Sequence, residues 1–178
     1  MPINLTLNDL MQYTEWERGK WHNWFGANGD RVLAISAGPH GDGRFESVGD
    51  LVRHIFAAEK RYIERLSGRP MDQMTTVASI PNNNAEALFR FGQQSRKEFK
   101  EYVERVSGQE WDTPTELRFP NSPVSASATP RKIVIHVLMH EIRHWAQIAT
   151  LLRLNGLVDE WHDFLFSPVM GEELKLRR

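Results

Sequence analysis

The segment from Thr129 to Gly156 constrains the fold more than any other stretch of this chain. Thr129 is a good N-cap, Pro130 suits the first helical position and Gly156 closes the run, so one long helix is expected between them. Its inward stripe reads Ile133, His136, His140, His144, Gln147 and Leu151. A core-facing helix normally fills such positions with Leu and Val. Three imidazoles and an amide are costly there unless they are hydrogen-bonded or bound to something. The helix therefore needs other elements to pack against and a chemical reason for its polar stripe.

Three further helical segments supply the packing partners, each bounded by its own start and stop signals. The first begins near Thr6, with Asp9 in capping-box position, and runs through Leu7, Leu10, Met11, Trp16, Trp21, Trp24 and Phe25 to a stop at 27–29. The second begins at Ser47, with Asp50 as its capping partner, and stops at Gly68; its stripe is Leu51, Ile55, Ala58, Tyr62 and Leu66. The third starts near Asn84 and carries Leu88, Phe91, Ser95, Phe99, Tyr102 and Val106 before Gly108. The stretches AGPHGDGRF and TPTELRFPNSPVSASATP hold too much Gly, Pro and Ser for helix, and strand patterns are missing. The tail after Gly156 is irregular and is expected to pack across the helices. This is an all-α reading, with one domain over 1–178 and no internal repeat.

The polar stripe sets the chemistry. His140, Glu141, Ile142, Arg143 and His144 spell HExxH. Helix residues four apart lie about 6 Å apart along the axis, so such a pair can converge on one ion. His136 and His144 are about 12 Å apart along that axis, whereas nitrogens on one zinc lie about 2 Å from it. The ligand pair is therefore His136 with His140 or His140 with His144, and at least one more ligand comes from elsewhere. His54 is a candidate, because it falls at the edge of the second stripe, about 60° from Leu51. His22, His40 and His162 are poorer ones, since His40 sits in a Gly-rich loop and the other two lack inward partners. Glu59, one turn beyond Ile55, could serve as a carboxylate ligand or base, but a solvated helix face is its expected place.

HExxH also spells the zincin protease helix, in which Glu141 would be the general base. The chain fits that reading poorly. Zincins set this helix beside a β-sheet, and the downstream residues Asp159, Glu160 and His162 match neither common zincin spacing. Glu141 also lies about 100° around the helix from His140, so it reaches a metal-bound water only where the local cleft permits, as it does in some zincins.

Composition removes further classes. Lys plus Arg total 22 against 23 Asp plus Glu, a net charge of -1, so no global basic field exists to hold a nucleic acid. There is no apolar run of membrane-spanning length and no signal-peptide pattern at the start, so a cytoplasmic protein without a membrane partner is expected. The chain has no cysteine. Any metal must be held by His and carboxylates, a cysteine nucleophile is ruled out, and a thiol can take part only as a substrate.

The early YTEWERGKW, the SVGDLVRHIFAAEKRYIERL segment, the third amphipathic helix and HVLMHEIRHWAQI resemble, in order and spacing, the DinB/YfiT-like family. The likeness covers nearly the whole chain. It implies a four-helix bundle of up-down-down-up topology. It also implies a divalent ion, zinc, nickel, iron or manganese, on His54, His140 and His144, with His136 at a non-ligating position one turn earlier. The family often has Arg-Gly-Gln after its last His, where this chain has Trp145, Ala146 and Gln147. Gln147, Arg143 and Glu141 are then candidates for contacts beside the metal. Better characterised relatives transfer or isomerise small molecules with bacillithiol or mycothiol, so the resemblance implies a metal-dependent thiol S-transferase. Metal-dependent hydrolysis is the second reading, and a non-enzymatic, stress-related binding protein with a structural or vestigial metal is the third. Six Trp and nine Phe, together with the family's frequent homodimers, lead to the expectation of a homodimer.

Overall fold

The computed structural model describes residues 4–38, 44–118 and 125–171. Four long helices dominate: α1 (Leu7–Asn28), α2 (Val48–Leu66), α3 (Ala85–Arg105) and α4 (Pro130–Leu154). Their starts follow the local chemistry read from the sequence. Thr6 Oγ1 accepts from the Asp9 amide while the Asp9 carboxylate accepts from the Thr6 amide at 2.8 Å. Ser47, Asn84 and Thr129 accept from the amides of Asp50, Ala87 and Lys132 in the same way. Each cap contributes about 1 kcal/mol. The stops at Gly68 and Gly156 have φ of 72° and 73°, a left-handed conformation that only glycine adopts without cost.

Side-chain contacts fix the topology. α1 and α4 run parallel, since Arg18 meets Glu141 and Trp21 meets Trp145. α2 and α3 are also parallel, with Phe56 on Phe89 and Lys60 on Glu98. α2 runs antiparallel to α4, pairing His54 with His140 and Tyr62 with His136. α1 runs antiparallel to α3, pairing Thr14 with Arg96 and His22 with Glu86. The order is therefore up-down-down-up, with α1 and α2 on opposite corners. Parallel neighbours cannot be joined by a tight turn, so residues 67–84 return along the bundle through short 3-10 turns at Met71–Gln73 and Val77–Ser79.

The core is aromatic at one end. Trp145, fully buried, lies nearly parallel to Trp21 (5.3 Å between centroids, 14° between planes) and to Phe89 (6.2 Å, 10°). α2 and α3 approach closely because Gly92 has no side chain: a Cβ there would sit 2.8 Å from the Phe56 ring. Gly49 is needed for a similar reason, as a Cβ would fall 1.9 Å from the Asn82 carbonyl oxygen.

Two expectations need correction. Strands are present: β1 (Thr115–Arg118) pairs antiparallel with β2 (Ser125–Ala128), Thr115 opposite Ala128 and Arg118 opposite Ser125. The hairpin evades pattern reading because β2, Ser-Ala-Ser-Ala, is almost wholly exposed and carries no large apolar residue. Glu59 is not on a solvated face. It is 1 % exposed and belongs to a buried ring with one charged residue from each helix: Arg18, Glu59, Arg96 and Glu141.

The tail packs across the bundle as expected. The Trp24 indole donates to the Val158 carbonyl, and the Tyr13 hydroxyl donates to the His162 carbonyl, both at 2.9 Å. Among the described residues no helix is long and apolar enough to cross a membrane.

Candidate metal centre

The antiparallel crossing of α2 and α4 brings His54 to His140 and His144. The Nε2 of His140 is 3.0 Å from that of His54 and 3.1 Å from that of His144, and a ligand atom from each of the three lies within 4.8 Å of the others. His54 and His140 are half-buried and His144 is fully buried. Phe45, in the segment leading into α2, covers the group with its ring 4.7 Å from that of His54 and 5.8 Å from that of His144.

The donor set fits a cation. Gln147 Oε1, one turn along α4, lies 2.5 Å from His144 Nδ1. An amide oxygen only accepts, so Nδ1 carries the hydrogen and Nε2 turns a lone pair inward. His140 Nε2 stands between the Nε2 atoms of His54 and His144 and has at most one hydrogen to share between them. Ligand nitrogens about 2.0–2.1 Å from one ion stand about 3.0–3.4 Å apart, which matches the spacing around His140. Burial, followed by the neighbouring His144 and His54, pushes the His140 pKa down to about 3. The ring is therefore neutral at ordinary pH, the form that binds metal.

The other candidates are distributed differently. His136 is exposed rather than inward, its ring 5.6 Å from that of His140 and 5.5 Å from that of Tyr62. Arg143 is exposed and lines, with Gln147, Ala146, Thr150 and Leu151, a depression of about 390 Å³ that is connected to His144 through Gln147. Glu141 is directed into the core. Its carboxylate accepts from Arg18 Nη2 at 2.9 Å, Arg96 Nη2 at 2.7 Å and Trp145 Nε1 at 3.0 Å, and also from Arg18 Nε. Burial alone would raise its pKa, but Arg18 and Arg96 overcome that and hold it below the ordinary carboxylate value. A group held in this way cannot act as a base beside the histidines.

His22 is paired with Glu86 and stacked on Phe89, away from the centre. His162 does have an inward partner, contrary to expectation: its Nδ1 is 2.9 Å from Glu17 Oε1, and Glu17 is 1 % exposed. The tail folds back onto α1, a contact 145 residues apart in sequence that no local pattern announces. His40 lies outside the described residues.

Sequence and fold comparisons establish the family and the fold. The family model described as "DinB family" matches residues 1–174. The chain belongs to the DinB family. A solved DinB-like protein from Bacillus cereus ATCC 10987 has the same fold, with a TM-score of 0.61 at 16 % identity, over 85 % of this chain and 94 % of that one. No curated protein matches the chain. In this DinB-family member Trp145 directly follows His144, the last histidine of the group. Its side chain is part of the aromatic core, so it takes no direct part at the histidines.

Proposed function

We propose that this DinB-family protein holds a divalent ion, zinc, nickel, iron or manganese, on His54, His140 and His144 and is a metal-dependent enzyme of the thiol S-transferase type. The observation that carries the reading is the convergence of three imidazoles, a ligand nitrogen from each lying within 4.8 Å of the others. A divalent ion there would lower the pKa of a bound thiol and stabilise a developing anion. The residues of the chain do the rest. Gln147 fixes the tautomer of His144, Phe45 shields the group from water, and Arg143 offers a positive charge at the adjoining depression. That charge suits a low-molecular-weight thiol bearing a carboxylate, such as bacillithiol. The absence of cysteine agrees, since the nucleophilic sulfur then arrives with the co-substrate. On this reading the chain is a single cytoplasmic domain.

The test begins with elemental analysis. About one metal per chain is expected, lost in each of His54→Ala, His140→Ala and His144→Ala with the helical circular dichroism retained. The loaded protein is then given a panel of cellular thiols with a haloalkane or epoxide acceptor. Turnover that needs both metal and thiol supports the proposal. Turnover without thiol would assign a hydrolase instead, and stoichiometric metal with no turnover would leave a binding protein.

A further inference from the structure

The α1/α3 edge of the bundle lies diagonally across from the α2/α4 edge that carries the histidines. There the helices stand apart over a groove of about 540 Å³, within the range of small-molecule sites. The groove and the histidine group have no residue in common. Glycines keep it open. Gly92 contributes no side chain from α3, and at Gly19 on α1 an added Cβ would meet nothing within 4 Å. Phe56 and Phe89 are buried beneath it, Phe56 under the Arg18 guanidinium at 5.0 Å and Phe89 under His22, whose half-buried ring lies flat on it at 4.7 Å and gives the groove its aromatic surface.

One polar group lining this groove has unused capacity. Arg96 is 5 % exposed, and its Nε, Nη1 and Nη2 each donate once, to Glu59, Thr14 and Glu141. A guanidinium has five N–H groups, so two remain without an acceptor among the described residues. Buried donors in that condition are costly, and an incoming acceptor removes the cost. The charge balance narrows the acceptor's identity. Arg18 and Arg96 are already matched by Glu59 and Glu141, while the rim cations Lys100 and Lys97 face Glu15 and Glu101. An anionic ligand would add an unmatched charge beside two buried carboxylates.

We propose that the α1/α3 groove is a second ligand site, which takes a flat, neutral aromatic molecule bearing one hydrogen-bond-accepting oxygen. The ring system stacks on the outer face of His22, and the oxygen accepts from Arg96. The assignment does not depend on metal at the histidines.

A suitable probe is the neutral naphthyl ketone 6-propionyl-2-dimethylaminonaphthalene, whose emission shifts to the blue in an apolar site. Saturable, blue-shifted binding of one probe per chain is expected. Gly19→Leu, an exposed helical position where the larger side chain enters the groove, should weaken binding at least tenfold with unchanged circular dichroism. His144→Ala should leave the affinity unchanged, and an anionic naphthalene sulfonate should bind at least tenfold more weakly. If Gly19→Leu fails to fold, Gln93→Phe on the opposite wall gives the same reading. The proposal is overturned by unsaturable binding, by equal affinity in the groove variants, by loss of binding in His144→Ala or by preference for the anion. It is also overturned if Gly19→Leu dissociates a homodimer and the probe never binds, which would assign the groove to a second copy.

Discussion

At the scale of single residues, the contact between His144 Nδ1 and Gln147 Oε1 decides whether three histidines amount to a site. Without an acceptor at Nδ1 the buried imidazole of His144 is free to take the other tautomer, with a hydrogen on the nitrogen that should face the ion. Partners of this kind typically govern metal affinity by 10–100-fold. Gln147→Leu, at a half-buried position, should therefore weaken metal binding by about that factor with little change in the melting temperature of the metal-free protein. Gln147→Glu keeps an acceptor and should recover most of the loss. Competition against a chromophoric chelator reads both, and equal affinity in wild type and Gln147→Leu would remove Gln147 from the site. This part of the centre was legible in the sequence because His140, His144 and Gln147 share one helix stripe, although spacing allowed His136 with His140 equally and the family resemblance made the choice. Glu59 was not, since its partners Arg18 and Arg96 lie 41 and 37 residues away.

At the scale of elements, the four helices were readable because caps and glycine stops are local signals. That the tail crosses the bundle was expected, but its particular hold on α1 was not readable, because it depends on long-range contacts. That hold contains a pH dependence. Burial, only partly offset by the hydrogen bond from His162, raises the Glu17 pKa from 4.5 to about 7. His162 is raised as well: burial works against it, but Glu17 and Asp159 outweigh that effect. Both folded-state values exceed the unfolded ones, so the folded protein binds more protons, and stability from this pair falls as pH rises from about 4.5 through 7. This is opposite to the usual behaviour of a paired carboxylate. Glu17→Gln should flatten the melting temperature between pH 5 and 8 and stabilise the protein at pH 8 by up to about 3 kcal/mol. Thermal melts across that range check it, and a slope unchanged in Glu17→Gln would rule this pair out as its source.

At the scale of the whole molecule, the ring of Arg18, Glu59, Arg96 and Glu141 ties all four helices together at one level. It also fixes the meaning of HExxH, the motif most open to misreading. Glu141 lies between the two histidines in sequence, yet its carboxylate serves the bundle interior while theirs serve the α2/α4 edge, as a rotation of about 100° per residue requires. A buried ring of this kind is weak evidence of net stability, because desolvation offsets most of the attraction, but breaking it strands charge in the core. Glu141→Ala leaves two buried guanidinium groups facing one carboxylate and should cost about 3–5 kcal/mol in urea unfolding. Glu101→Ala, which removes an exposed pair with Lys97, should cost well under 1 kcal/mol. If Glu141 were instead a general base, its removal would abolish turnover and leave stability nearly intact. Replacing all four members by apolar residues of similar volume should return most of the stability lost in Glu141→Ala, because no unpaired charge then remains. A quadruple variant as unstable as Glu141→Ala would show that the ring contributes net stability of its own.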